Sequence, residues 1–294
     1  MALRVNKGER MLRNTVVVSV VVFYCLFFVY PILQALVGSF HLWNPLKGQF
    51  KFVGWDNYTD ALSEDLFWLA MGNNVVFTVT VVVARVGLAL LVALAIARIP
   101  RLKSLFRTVY FLPVISSLIA VAFVWRWMYE PNIGLINKTL GIFGIQGKNW
   151  LLDPDTALLS IIVMTIWKDL GYAVVILLAG ILNLNAEVFE AAAIDGAKPH
   201  QVLWRITLPL LNPTILFVVV TSLISYLQTF AQVFVLTGGG PGTKTYLTTY
   251  QIFNEAFVKY NFGYSSALSF LLFLVIMVLT WVQFRVTGND EDRS

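Results

Sequence analysis

"EAAAIDGAKPHQVLWRITLP" begins at Glu190 and ends at Pro209, between two stretches apolar enough to lie in lipid. It carries Glu190, Asp195, Lys198 and Arg205, so it does not belong in the bilayer interior. Ala186–Ile194 favours a helix: three consecutive alanines have high helix propensity, and Glu187 and Glu190 sit near the start, where carboxylates suit the helix dipole. Gly196 can end that helix in the left-handed conformation, and Pro199 suits the first turn of a second short helix through Val202, Leu203, Trp204 and Ile206. The expected product is a helix–turn–helix at the membrane surface, with one apolar face and one face of small residues. Such a face lets a partner's backbone approach closely. The pattern fits equally an amphipathic linker resting on lipid.

Working outward, the rest of the chain supplies the membrane. Of 294 residues, 58% are hydrophobic and 13% charged, too few charges to cover a water-facing surface, since a soluble domain has roughly 25%. Six apolar runs, at 15–40, 71–97, 106–128, 156–182, 213–236 and 263–286, meet the length of about 20 residues that crossing a bilayer needs. Trp125, Arg126 and Trp127 read as an interfacial anchor. Twelve of the 21 Lys and Arg fall in the N-terminus, the second and fourth loops and the C-terminal tail, against six in the other loops. Arg85, Arg126 and Lys168 lie within the runs. The bias places both termini, and 190–209, in the cytoplasm. The basic N-terminus and its long apolar run read as an uncleaved anchor. The outer segments 41–70, 130–155 and 237–262 are rich in Gly, Pro, Asn and Asp and read as loops. The predicted class is all-α: a polytopic membrane protein of six transmembrane helices.

Catalysis has no foothold in this chain. "GGGPGTKT" at 238–245 puts Thr243 between glycine and Lys244, which breaks the phosphate-binding G-K-[ST] pattern. His41 and His200 stand apart, and Cys25 is the one cysteine, so no metal site, triad or internal disulfide is expected. The net charge of +5 follows the topology and calls for no nucleic acid. Ionisable residues in mid-membrane are costly and so are functional candidates. Lys168 and Asp169 lie in the fourth run with Tyr172 one turn on, and Arg85 lies in the second. Ser225, Tyr226, Gln228, Thr229 and Gln232 give a polar stripe expected to cover two turns of the fifth helix. The plain alternatives are structural: Arg85 as an internal ion-pair partner, Tyr226 and Gln228 as bonds between helices, and Asp169 and Tyr172 as bracing.

The spacing E-A-A, three residues, Gly196, nine residues, then Ile206-x-Leu208-Pro209 resembles the EAA motif of importer-type ABC permeases. "FVGWDNY" at 52–58 and "LTGGGPGTKTYLTTYQIFNEAF" at 236–257 resemble outer-loop signatures of the F-type permeases of binding-protein-dependent carbohydrate importers. The similarity covers essentially the whole chain, without the large periplasmic insertion of the maltose permease. It implies the type I importer permease fold in a prokaryotic inner membrane: 1–14 cytoplasmic, 15–286 the membrane domain with the coupling loop at 186–209, and 287–294 a cytoplasmic tail. It implies as partners a second, G-type permease, two cytoplasmic ATPase subunits that bind ATP and Mg, and an extracytoplasmic sugar-binding protein. This chain would hold no cofactor itself. Carried over by position, Glu190, Ala191, Ala192, Gly196, Ile206, Leu208 and Pro209 would meet the ATPase. Lys168, Asp169, Tyr172, Ser225, Tyr226, Gln228 and Thr229 would line the sugar site; Tyr172 matches a sugar-contacting tyrosine, whereas residue types at 225–229 differ from the family's. The implied cargo is a di- or oligosaccharide. An ABC permease for glycerol phosphate or another solute is the alternative, followed by a secondary sugar transporter, which would have no use for an EAA loop.

Overall fold

The computed structural model describes residues 7–97 and 103–291. Arg4, Arg98, Arg101 and Arg293, four of the basic residues behind the expected orientation, lie outside the described residues, as do the outermost parts of the expected N-terminal segment and tail. In chain order the elements are α1 (Lys7–Tyr24), a π-helical turn (Cys25–Val29), α2 (Tyr30–Ser39), β1 (His41–Asn44), β2 (Gln49–Phe52), α3 (Asp56–Ser63), α4 (Asp65–Ala97), α5 (Lys103–Ile115), α6 (Leu118–Met128), α7 (Leu135–Ile142), α8 (Ala157–Leu182), α9 (Ala186–Ile194), α10 (Pro199–Val202), α11 (Leu208–Leu227), α12 (Ala231–Leu236), α13 (Thr248–Phe253) and α14 (Phe262–Glu291). Among the described residues, five helices are long and apolar enough to span a bilayer, and a bent pair makes the sixth.

That bent pair corrects the expected third span. The run at 106–128 is broken into α5 and α6, which meet at 108° across Ser116 and Ser117. Pro113 has no N–H to give the preceding turn, Ser116 N–H bonds Pro113 O at 3.2 Å instead, and Ser117 leaves the helical region at ψ 127. The fifth span is shifted as well. From Pro199 the helix continues through a π-helical stretch, Leu203–Thr207, into α11 and stops at Leu227, and α12 restarts at Ala231. The polar stripe therefore does not run over two turns of one helix: Gln228 and Thr229 sit in the break.

The outer segments are more structured than loops, and the first carries a short hairpin within the otherwise helical chain. β1 and β2 pair antiparallel with His41 opposite Phe52 and Asn44 opposite Gln49, and Gly48 turns between them at φ 62. Asn44 starts the turn by accepting from Lys47 N–H at 3.1 Å. Residues 130–155 hold α7, and 237–262 hold α13.

One compact unit gathers, of the described residues, 7–64 with 252–272. Side chains from 11 to 34 are exposed, as suits a helix meeting lipid or another subunit. Within the "FVGWDNY" segment, Asn57 donates to the carbonyls of Ser39 at 2.8 Å and His41 at 3.0 Å, and Tyr58 shares a 2.7 Å hydrogen bond with the Ser39 hydroxyl. The segment thus clamps the end of α2 to α3. Tyr264 donates to Glu64, and Lys259 pairs with the buried Glu255 at 2.5 Å.

The second unit, of the described residues 65–97, 103–251 and 273–291, packs α4, α5 and α11 around α8. Its core includes Phe77, Val81, Met164, Leu177, Leu211 and Val218, with Ala89, Ala93 and Ala173 fully buried between helices. Small residues permit that closeness. Gly171 is the extreme case: a Cβ there would lie 1.8 Å from Tyr110 O, so the α5 backbone rests directly on α8 two residues beyond Asp169.

Candidate functional site

Helices α4, α8 and α11 converge on a cluster of charged and aromatic side chains. Arg85 on α4 is 4% exposed. Its Nε donates to Asp169 O at 3.0 Å and its Nη1 to Ser222 Oγ at 2.7 Å. The guanidinium carbon lies 5.7 Å from the Tyr172 ring centre and 5.6 Å from that of Tyr226, within reach of a cation–π attraction. The expected ion pair of Arg85 is not formed: no carboxylate lies within 4.0 Å of it among the described residues. Hydrogen bonds to neutral oxygens and two aromatic faces hold it instead.

Asp169 is the acid of the cluster. Lys168 Nζ lies 3.6 Å from Oδ1, and Tyr226 donates to Oδ2 at 3.2 Å. Adjacent helical residues project about 100° apart, yet the long lysine stem curves back to its neighbour. Lys168 also donates to Val114 O at 3.4 Å and is buried.

Two adjoining cavities open on this cluster. One of about 270 Å³ is lined by Arg85, Val114, Asp169, Tyr172, Thr221, Ser222, Ser225 and Tyr226. The other, about 330 Å³, is lined by Asp169, Ser225 and Tyr226 again, with Leu118 and 228–232. The structure thus brings together six of the residues singled out in the sequence: Asp169, Tyr172, Ser225, Tyr226, Gln228 and Thr229. The break after Leu227 is what turns Gln228 and Thr229 toward the second cavity, since a continued helix would have spread them around its axis. Lys168 does not join them at either wall; it braces Asp169 from behind. Arg85, Thr221 and Ser222 line the first cavity without having been assigned to it. Arg85 was detectable as a lone cation in the apolar α4, but nothing in the sequence marks Ser222, four residues before Tyr226, as its partner.

A larger cavity of about 520 Å³ lies in the same unit, lined by Arg126, Tyr129, Glu130, Gly238, Gly240 and Pro241 among others. Arg126 is not a simple interfacial anchor: its Nη1 donates to Val235 O at 3.2 Å, and Trp125 is buried, while Trp127 stays exposed. Glu130 accepts from the backbone N–H groups of Ile133 at 2.6 Å and Asn132 at 2.8 Å. The Ile133 bond above all holds its carboxyl below the usual carboxylate range.

The EAA segment forms the first helix and the turn foreseen for it. Asn185 caps α9 by accepting from Glu187 N–H at 3.0 Å. Gly196 ends the helix at φ 70, with Ala197 N–H bonding Ala192 O at 2.9 Å. Pro199 opens α10, where Gln201 Oε1 accepts from Lys198 N–H at 2.8 Å. Glu190, Ala191 and Gly196 are exposed, while Ala192 packs inward. Ile194 and Trp204 are 87% and 69% exposed, large apolar groups left open in the same segment. The second helix differs from expectation. Ile206, Leu208 and Pro209 belong to the run that continues into α11 and are not part of a separate surface helix. Pro209 and Pro213 lack the N–H groups an α-helix would use, and the wider π-helical turns over Leu203–Thr207 absorb the mismatch without breaking the rod.

A model of the family described as binding-protein-dependent transport system inner membrane component matches residues 85–287. The lactose transport system permease protein LacF of Rhizobium radiobacter is 36% identical over 265 residues, 88% of each chain. The sn-glycerol-3-phosphate transport system permease protein UgpA of Rhizobium meliloti is 33% identical over 96% of each chain. The multiple sugar-binding transport system permease protein MsmF of Streptococcus mutans is 30% identical over 90% of this chain and 91% of its own. Among solved structures, a chain of a bacterial ABC transporter involved in the import of the acidic polysaccharide alginate superposes with a TM-score of 0.85 at 21% identity, covering 96% of both chains. That likeness bears on the fold, and it is the fold of a type I importer permease.

Proposed function

We propose that this chain, which belongs to the family of binding-protein-dependent transport system inner membrane components, forms part of the solute pathway of an ATP-driven carbohydrate importer. The observation that carries the reading is full-length likeness to permeases named for lactose and for multiple sugars. The lining of the two cavities agrees with it. A sugar offers hydroxyls in several directions and weakly apolar C–H faces. Ser222, Ser225, Thr229, Gln228 and Asp169 supply donors and acceptors, and Tyr172, which is 41% exposed, supplies a platform. Lys168 acts indirectly, by holding Asp169.

The chain works as a transport subunit in a prokaryotic inner membrane with both termini cytoplasmic. Its partners are a second, G-type permease, two ATPase subunits that bind ATP and Mg, and an extracytoplasmic sugar-binding protein. Glu190, Ala191, Ala192 and Gly196 make the ATPase contact. Exposure of Glu190 together with that of the apolar Ile194 and Trp204 supports that role, because a solvated linker has no reason to leave such side chains bare. Ile206, Leu208 and Pro209 transmit the motion, since they begin the rod that ends at the cavity. Closure of the ATPase pair then shifts α9 and, through 199–227, the wall carrying Ser222, Ser225 and Tyr226.

A second reading, an ABC permease for sn-glycerol-3-phosphate, is favoured by the relative of that name and by Arg85 at the cavity wall. A secondary transporter has no such support, because family membership ties the chain to a binding protein. The test is ATPase stimulation in proteoliposomes of the transporter purified with its partner subunits. Binding protein and one sugar should stimulate hydrolysis, and Glu190→Ala should abolish the stimulation. An assembled ATPase indifferent to every sugar would retire the carbohydrate claim, and an inability to copurify any ATPase would retire the importer.

A further inference from the structure

We infer that the transported solute carries an acid group, a carboxylate or a phosphate monoester on its sugar frame, and that Arg85 reads it. The inference rests on the carbohydrate-import reading and narrows its substrate class. The argument is one of charge.

Where α4, α8 and α11 meet there are two cations, Arg85 and Lys168, and one carboxylate, Asp169. The carboxylate has a partner at each oxygen: Lys168 at 3.6 Å from Oδ1 and the Tyr226 hydroxyl at 3.2 Å from Oδ2. The negative charge is therefore matched by the lysine. Among the described residues Arg85 has only neutral partners, the Asp169 carbonyl and the hydroxyls of Ser222 and Tyr226, and no carboxylate within 4.0 Å. At 4% exposure it is an excess positive charge in apolar surroundings, the case in which desolvation weighs most. The rings of Tyr172 and Tyr226 offset part of that cost without supplying a counter-charge.

This excess charge lines the 270 Å³ cavity. A neutral sugar hydroxyl needs no buried guanidinium; Ser, Thr, Asn or Gln would serve it at far lower cost. A carboxylate or phosphate, by contrast, matches the planar guanidinium fork and brings the missing charge. Thr221, Ser222 and Ser225 surround the same space and would take the hydroxyls of the sugar frame. The chain thus presents an anion subsite completed by its cargo.

The test uses the transporter assembled with its partner subunits in nanodiscs, without binding protein, so that only the membrane site selects. Glucose, glucuronate, glucose 6-phosphate and succinate are titrated at constant ionic strength and binding is read by calorimetry. At least one acid sugar should bind about tenfold more tightly than glucose. Arg85→Gln should remove the difference, and Arg85→Lys should keep part of it. Glucose binding as tightly as both acid sugars would overturn the inference and leave the carbohydrate reading standing. Succinate binding as tightly as the acid sugars would keep the anion subsite and remove the sugar frame. A preference that survives Arg85→Gln would take the role from Arg85, and silence from every probe would overturn both readings. Should Arg85→Gln not assemble, the comparison of glucose with glucuronate in the unsubstituted protein still decides.

Discussion

The side-chain amide of Asn74 donates to the carbonyl oxygen of Leu227 at 3.0 Å, across the interface of α4 and α11. Leu227 is the last residue of α11, so its carbonyl has no intrahelical donor, and both residues are buried. Unpaired carbonyls in an apolar interior are costly, and the amide from α4 is what allows the helix to stop there. The stop in turn sends Gln228 and Thr229 to the second cavity.

Asn74→Ala should therefore destabilise the membrane domain by about 1–3 kcal/mol, the cost of orphaning a buried carbonyl. Thermal unfolding in detergent checks the loss. Asn74→Asp retains an acceptor but no donor, and should not rescue. A variant as stable as the parent would mean that the break is held by other contacts.

How far the sequence reveals this molecule depends on the length scale of the signal. The apolar runs report helices because each is longer than a bilayer needs, and the EAA spacing reports α9 and its Gly196 stop because the turn demands a left-handed residue at one position. The breaks at 116–117 and 228–230 hold only two polar residues each, Ser116 and Ser117, Gln228 and Thr229, which inside an apolar run read as part of a helix face and not as a stop. They are set by Pro113 and by an acceptor satisfied from another helix, Asn74, which lies 153 positions away in the sequence. The hairpin at 41–52 was hidden for a related reason: its strands are four residues each, too short for an alternating pattern to stand out from a loop. At the candidate site the lining side chains were legible by type, whereas the partner of Arg85 was not, because Ser222 reads as any hydroxyl inside a membrane helix.

The turn after α9 makes the coupling assignment testable by two independent changes. Gly196 has φ 70 and open space where a Cβ would go, so Gly196→Val meets no neighbour but forces a β-branched residue into the left-handed region, at a cost of about 1–3 kcal/mol. The strain should reorient 197–199 while leaving insertion in the membrane intact. Glu190→Ala removes an exposed carboxylate with no hydrogen-bond or ion-pair partner among the described residues. Both variants should assemble in the membrane and lose solute-stimulated ATP hydrolysis, measured in proteoliposomes. Unchanged stimulation in both would end the coupling role of 190–209.

At the opposite kind of surface, Glu130 offers a pH signature. Its carboxylate accepts from Ile133 and Asn132 N–H, which hold its pKa below the usual carboxylate range. A group whose folded pKa is depressed contributes stability above its unfolded pKa and loses it as pH falls through the folded value. The turn at 130–134 should therefore be protected from amide hydrogen exchange at neutral pH and loosen only as the pH drops below the ordinary carboxylate range. Glu130→Gln should remove the pH dependence and leave constant, weaker protection. Mass-spectrometric exchange on the peptide holding Ile133, followed across pH, checks the sign; protection that rises on acidification would contradict it.

The Tyr226–Asp169 bond is the contact that joins α11 to the acid of α8, and it faces both cavities. If it positions Asp169 for the solute, removing either partner should remove the same interaction. Tyr226→Phe deletes the donor with almost no change of volume, and Asp169→Asn deletes the charge while keeping the shape. Each alone should weaken solute-stimulated ATPase activity, read as the half-stimulating concentration, by about tenfold, since a hydrogen bond to a charged group contributes about 1.5–3 kcal/mol. The double variant should be little worse than Asp169→Asn, giving a coupling of about 1 kcal/mol or more. Lys168 sharpens the expectation: losing the acid leaves that buried lysine without its counter-charge, so Asp169→Asn should also lower stability, whereas Tyr226→Phe should not do so to the same degree. Strictly additive effects on stimulation would mean that the tyrosine and the carboxylate serve the solute separately, and the bond between them would then be only a brace between helices.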